Sequence, residues 1–274
     1  MIGMVIVNYN DYETTKRLLD NVKDYKVLKE IVVVDNKSTD NSLEELRKLK
    51  NKKITIIDSG ENKGYSYALN VGCKYLIDKY KSLNIVISNS DIIIDNELDI
   101  KDLNSYISTK NVIVGPTIIQ GNDLNRGFKI PTPWQDIKQN IVFFGKRVLA
   151  KELSYPDNYY HKDISKVDTV SGCFFMISSK HLEDVFLYYE ENIMGIKTKK
   201  LGKNIIVCNN VDVIHDHSVS IDKSLKRIKK YDILKTSQEY FEKKYNGANK
   251  IELFFLKVFR HLTRILLLIK YLVD

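Results

Sequence analysis

The stretch IVISNSDIIID, from Ile85 to Asp95, is apolar enough to be a buried strand, yet Asn89, Ser90 and Asp91 interrupt it before it resumes. An unpaired polar group in a core costs on the order of 2 to 7 kcal/mol. The triplet therefore marks a strand end, either an ordinary turn or the delivery of a carboxylate to a site. Upstream, short apolar runs alternate with helical patterns: MVIV from Met4, a helix from about Tyr12 to Tyr25, IVVVD from Ile31, and a helix at SLEELRKL from Ser42. KITIID from Lys53, a helix at SYALNVGCKYLIDKY from Ser66 and NIVISN from Asn84 complete the series. β-Branched runs bounded by helices are the signature of parallel strands covered on both faces. The pattern predicts a doubly wound α/β fold.

In such sheets ligands collect beyond the carboxyl ends of the strands. Polar residues gather at those ends here: Asn8, Tyr9 and Asn10, then Asp35 and Asn36, then Glu61 to Gly64, then Asn89 to Asp91. Neither GxGxxG nor GxxxxGK[ST] occurs, which argues against a dehydrogenase or a P-loop NTPase. Past Asp91 the pattern loosens around Pro116, Pro131, Pro133 and Pro156, a stretch suited to a variable substrate. VDTVSGCFFMISS and NIIVCNNVDVIHDH then return as strand-like runs.

The 274 residues, 43% hydrophobic and 28% charged, suffice for one large domain or for a domain with an appendage. The formal charge is +8, and the segment from Asp222 onward holds 13 Lys or Arg against 6 Asp or Glu, so +7 of it lies in the tail. Three cysteines, Cys73, Cys173 and Cys208, are odd in number and widely spaced, which favours a reducing cytosol over disulfides or zinc. The opening MIGMVIVNYN reads as a first strand and not as a signal peptide. No uncharged apolar window of about 20 residues exists, so no ordinary membrane span is expected.

Five stretches in order, IVNYN, VVDNKSTDNS, ENKGYSYALNVG, SNSD and VSGCFFMISS, followed by FLYYEE and VIHDHS, resemble the inverting nucleotide-sugar glycosyltransferases of family 2, in particular a rhamnosyltransferase-like branch. The resemblance covers roughly residues 2 to 220. It implies a GT-A fold, with a Rossmann-like, mostly parallel central sheet, helices on both faces and a C-terminal helical tail. The domain boundaries expected are 1–220 for the glycosyltransferase domain and 221–274 for the tail.

The resemblance also implies roles. Val7, Asn8, Tyr9 and Asn10 would line the nucleotide, and Asp35 would accept the imide N–H of uracil or thymine. Asp35 also suits the capping of the following turn. Thr39, Asp40 or Asn41 suits the N-cap of the next helix. Asn62, Gly64 and Asn70 match the family's N-x-G-x-x-x-x-x-N pattern, and Gly64 would allow close backbone approach. SNSD stands in the place of the DXD motif, with Asn89 for the first Asp, as in the NPD of rhamnosyltransferase-like members. Asn89 and Ser90 would border the nucleotide, and Asp91 would bind a divalent cation, Mn²⁺ or Mg²⁺, hard ions that prefer carboxylate and phosphate oxygens. His215 or His217 would complete the ion's shell. Glu190 and Glu191 supply the catalytic base, Glu191 standing at the second acidic position. Ile193, Met194 and Lys197 depart from the family's usual continuation.

The expected donor is a UDP- or dTDP-sugar, and the expected acceptor a hydroxyl of a glycan or lipid-linked glycan in surface polysaccharide synthesis. A catalytically silent nucleotide-sugar-binding or scaffold protein is the alternative. A nucleotidyltransferase would need basic residues near the first loop, where NYNDYE has none. The tail sets Leu253, Phe254, Leu256, Val258, Leu262, Ile265, Leu266 and Ile269 among Lys257, Arg260, Arg264 and Lys270. Such a basic amphipathic helix suits an anionic membrane surface at the cytoplasmic face. Packing on the catalytic domain or on a second subunit of a homodimer is the other reading. Nucleic acid is not expected, because no recognised binding module accompanies the charge.

Overall fold

The computed structural model describes residues 1–141, 151–182, 190–216 and 227–273. Backbone contacts divide the chain into two compact units, Met1–Gly127 with Asp157–Ser220, and Phe128–Pro156 with Ile221–Asp274.

The first unit carries strands β1 (Ile2–Asn8), β2 (Leu28–Asp35), β3 (Ile54–Asp58), β4 (Asn84–Ser88) and β5 (Ile92–Ile93). These are followed by β6 (Asn111–Gln120), β7 (Asp123–Asn125), β8 (Ile164–Val167), β9 (Phe174–Ser178) and β10 (Asn204–His215). Among the described residues they form one sheet in the order β3-β2-β1-β4-β9-β6-β10-β5, with β7 on β6 and β8 on β10. The first third, read as alternating strand and helix, is the parallel part: β3, β2, β1 and β4 run together. Beyond it β9 enters antiparallel between β4 and β6, so the second half of the sheet is mixed.

Helices α1 (Tyr12–Val22), α2 (Ser42–Lys48), α3 (Tyr65–Tyr80) and α4 (Glu97–Tyr106) connect the early strands. Every residue of β1 is buried, which requires cover on both faces. Alternate side chains supply it: Met4 and Ile6 join Leu18, Leu19 and Leu46 in one core. On the opposite face Gly72 of α3 lies so close that a Cβ there would stand 2.6 Å from Val5 and 2.9 Å from Val34. The first backbone N–H of α2, at Ser42, is taken by the carboxylate of Asp40 at 2.9 Å, although Asn41 occupies the cap position.

The second unit contains α5 (Pro133–Gln139) and the two C-terminal helices, with Ile137, Phe241 and Leu256 in its core. Numbering continues with α6 (Ser179–Leu182) and α7 (Glu190–Lys200) in the first unit, then α8 (Arg227–Lys244) and α9 (Lys250–Val273) in the second. α5 begins on a capping box between Thr132 and Gln135, with Pro133 at the first turn where its missing N–H costs nothing. Behind it Asp136 and Glu242 are both buried and face each other beside Gln238 and Asn140. Burial, then the neighbouring Asp136, pushes the Glu242 carboxyl up to about 9, and burial also raises Asp136. Two carboxylates cannot both ionise there, so the pair holds a proton at neutral pH.

The folded unit therefore binds a proton that the unfolded chain releases above the ordinary glutamate value of 4.5. Stability from this pair is full below that value and is lost as pH rises toward about 9. Glu242→Gln keeps the shape as a neutral group and is expected to flatten the decline, melting a few °C (~1 kcal/mol) above the parent at alkaline pH. Circular-dichroism melts across this range read the slope, and an unchanged slope in the variant would remove the shared proton from the account.

Candidate active site

The register of the parallel strands places Asn8, Asp35 and Asp58 side by side at their carboxyl ends. Asn8 and Asp35 are fully buried and have internal partners. Asn8 Nδ2 donates to Asp35 Oδ2 at 2.8 Å, and Thr15 Oγ1 donates to Asn8 Oδ1 at 2.8 Å. Ser38 donates to both oxygens of Asp35, through its N–H at 2.8 Å and its hydroxyl at 2.6 Å. Asp35 thus anchors the turn after β2. Ser38 also accepts from the Asn10 N–H at 2.9 Å, while Asn10 Oδ1 accepts from the Thr39 N–H at 2.7 Å, lacing the first two strand-end loops together. Val7 is buried beneath them. The surface left open at this corner belongs to Tyr9, 36% exposed, and Asn10.

Asn62 holds the next loop. Its Oδ1 accepts from Asn36 Nδ2 at 3.2 Å and from the Gly64 N–H at 3.1 Å. Gly64 sits at φ +99°, a conformation that favours glycine, and gives α3 its first turn without a side-chain cap. Asn70 Oδ1, one and a half turns into that helix, and Asn36 Oδ1 are buried with no hydrogen-bond partner. Such orphaned acceptors ask for a donor from outside the chain. A groove of about 320 Å³ beside Asn10 is lined by Asp11, Glu13, Asp40 and Glu45. Its carboxylates would repel a diphosphate, so the groove is a poor nucleotide site.

The polar interruption after β4 is held by the opposite half of the sheet. The Asn89 N–H donates to Cys173 O at 2.8 Å, and Ser90 and Asp91 are buried at the turn. β5 then pairs antiparallel with β10, matching Ile92 to His215, and the Asp216 N–H donates to Asp91 O at 2.9 Å. This register brings His215 Nε2 to 3.1 Å from Asp91 Oδ1. The hydrogen bond that the imidazole donates to Asp91, then its bond with Cys173, raises His215 to about 10 against the opposing effect of burial. Arg17 of α1 pins the same strand end through Asp216 at 2.7 Å.

A carboxylate oxygen and an imidazole nitrogen are donors that Mn²⁺ or Mg²⁺ accepts. Neighbouring positions of an octahedral ion with bonds of about 2.1 Å lie about 3.0 Å apart, close to the spacing of this pair, and an ion taken up here would displace the proton on the His215 imidazole. Among the described residues no group of three or more His, Cys, Asp or Glu forms a closed metal cluster. An ion here would draw its remaining ligands from the nucleotide and water. His217 lies outside the described residues.

Glu191, in the first turn of α7, is half-buried, and its carboxyl rests on Gly172: a Cβ at Gly172 would overlap Glu191 Oε1. Burial raises its pKa above the ordinary glutamate value, against the pull of hydrogen bonds from its own N–H and that of Gly172. Thr169 Oγ1 donates to Glu191 O at 2.7 Å and fixes the helix start. Glu190 opens the same helix. Tyr188 and Tyr189, in the FLYYEE stretch, lie outside the described residues.

Gly172 and Cys173 were not singled out from the sequence, yet they join the parts. The first supports Glu191, and the second bonds Asn89 and His215. The signal available was the small residue inside VSGCFFMISS. The three cysteines are free and buried.

Known proteins resemble this chain. The chain is 31% identical over 229 residues to the low-salt glycan biosynthesis hexosyltransferase Agl10 of Haloferax volcanii, covering 80% of this chain and 68% of that protein. It is 26% identical over 225 residues to the dTDP-rhamnosyl transferase RfbF of Shigella flexneri, covering 80% and 71%. The mannosyltransferase PcManGT of Pyrobaculum calidifontis, solved with GDP-Man and Mn²⁺, superimposes with a TM-score of 0.59 at 15% identity, over 96% of this chain and 70% of that one. At that identity the likeness speaks for the GT-A fold. The pattern of the family described as "Glycosyl transferase family 2" matches residues 4–186, spanning the strand-end loops, the Asn89–Asp91 turn and the Gly172 support, and the chain therefore belongs to that family.

Proposed function

We propose that this chain is an inverting, metal-dependent transferase that moves a hexosyl or rhamnosyl unit from a UDP- or dTDP-sugar to a hydroxyl of a glycan or lipid-linked acceptor in surface polysaccharide synthesis. The observation that carries the reading is the meeting of Glu191 with the Asp91–His215 pair on the consecutive residues Gly172 and Cys173. A base and a cation-binding pair are what a displacement at a sugar carbon needs.

In this reading Tyr9, Asn10, Asn62, Gly64 and Asn70 border the nucleotide, while Asn8 and Asp35 hold the loop that presents it. Asp91 and His215 would hold a divalent cation, which would supply positive charge for the departing diphosphate. Glu191 takes the acceptor's hydroxyl proton as that oxygen bonds to the anomeric carbon, and the bond to the diphosphate breaks with its electron pair on the leaving oxygen. Burial makes Glu191 a stronger base than a solvated glutamate. Residues 1–220 are the catalytic domain and 221–274 a tail that works at the inner face of the plasma membrane. Among the described residues no helix is long and apolar enough to cross a membrane.

Thermal shift against UDP, dTDP and GDP, each with and without Mn²⁺, tests the donor assignment. A pyrimidine diphosphate with metal is expected to stabilise the protein by about 2.7 kcal/mol at a hundredfold excess over Kd. Indifference to both pyrimidine nucleotides would overturn it. Stabilisation without turnover or donor hydrolysis would favour a silent nucleotide-sugar-binding protein.

A further inference from the structure

Helix α9 turns a broad apolar face outward. At about 100° per residue, Ile251, Phe254, Phe255, Leu262, Ile265 and Leu266 fall on one face about 120° wide. That face is the exposed one: Ile251 is 63% exposed, Phe254 61% and Leu262 49%. The opposite face buries Leu256 and carries the charged contacts. Arg264 grips Asp232 of α8 at 2.8 and 3.1 Å, Arg260 reaches Glu239 at 3.4 Å and Thr236 at 3.0 Å, and Thr263 donates to Asn140 O. A helix of a water-soluble domain turns its apolar stripe to the core and its charges to water. Here ion pairs and the buried Leu256 dock the helix, and the larger apolar stripe faces out.

Two further observations define what the stripe meets. Trp134 of α5, 49% exposed, lies 6.0 Å from Phe255, which lies 5.6 Å from Phe254, so an aromatic group stands at one end of the stripe. Tryptophan concentrates where apolar and aqueous phases meet. Lys250, Lys257 and His261 are exposed along one flank of the stripe, in a segment whose net charge is +7. Two copies joined through this face would set +7 against +7, whereas an anionic surface neutralises it.

We infer that the outward face of α9, with Trp134, lies in the headgroup region of an anionic lipid bilayer, parallel to its surface. Ion pairs to α8 orient the stripe, apolar side chains enter the acyl boundary, and the lysine flank meets lipid phosphates. This deepens the membrane reading of the tail and is independent of the transfer chemistry, so nucleotide binding measured on the same protein separates the two.

Trp134 is the only tryptophan, which makes its fluorescence a direct report. The full chain is mixed with phosphatidylcholine vesicles, with or without phosphatidylglycerol, and pelleted. Expected are a blue shift of Trp134 emission and binding about tenfold or more tighter to the phosphatidylglycerol mixture, weakening with salt. The double change Phe254→Asp and Leu262→Asp is expected to lower binding about tenfold or more while leaving nucleotide binding and helix content unchanged. The inference is overturned if emission and pelleting ignore phosphatidylglycerol. It is equally overturned if the parent sediments as a dimer that the double change splits, which would assign the stripe to a second copy.

Discussion

Replacing Glu191 with glutamine is expected to cut turnover about 10² to 10⁴-fold, the usual worth of a general base, with donor affinity nearly unchanged. Glutamine keeps the shape and the contact with Gly172 but cannot take the acceptor proton. The acid limb of the parent's pH–rate profile is expected to fall at a higher pH than a solvated glutamate would give, because burial favours the protonated form. Below that pH the base is already occupied by a proton, and above it the rate is level. Gly172→Ala should reproduce much of the loss without touching a titratable group, since the new methyl displaces the Glu191 carboxyl. Single-turnover rates and donor binding on all three proteins check the scheme. Full activity in Glu191→Gln with loss in Glu190→Gln would exchange the two roles, and full activity in both would place the base elsewhere.

Asp91→Ala is expected to abolish metal-dependent nucleotide binding, lowering Mn²⁺ affinity by about two orders of magnitude or more. Loss of a residue that merely supports a metal ligand already costs about 10 to 100-fold, so a direct ligand sets at least that scale. Nucleotide binding in the presence of a chelator should change little, because the strand-end loops around Asn62 and Asn70 are built without Asp91. The fold should persist, since Asp91 closes a turn at the sheet's end and the β5–β10 pairing runs through backbone atoms. Mn²⁺ electron paramagnetic resonance reads the ion directly and needs no activity. Asp91→Asn, which keeps the shape and loses the charge, should lie between the parent and the alanine variant. Unaltered Mn²⁺ binding in both variants would move the ion elsewhere.

The sequence by itself determined the parallel half of the sheet. Each strand from MVIV to NIVISN is a short β-branched run, and each intervening helix has its own apolar period, so local pattern and burial agree. It also determined which strand ends carry polar residues, because Asn8, Asp35 and Asp91 break apolar runs where a break is otherwise costly. What those residues do there was not legible. Asp35 reads equally as a ligand contact or as a turn anchor, and only the folded loop shows Ser38 and Asn8 on its two oxygens.

The tertiary structure alone decided the rest, because those relations are non-local. His215 reaches Asp91 through the antiparallel register of a two-residue strand, which no sequence period announces. Glu191 acquires its raised pKa from burial against Gly172, distant in the chain and without a side chain, whose own N–H bond pulls the other way. Residues Phe128–Pro156 group with the C-terminal helices, although their sequence read as part of a loosened stretch suited to a variable substrate. The amphipathic period of α9 was plain in the sequence, but a period does not say which face is turned in. Asp232 and Glu239 on α8 fix that choice by pairing with Arg264 and Arg260, and the apolar stripe is left facing outward.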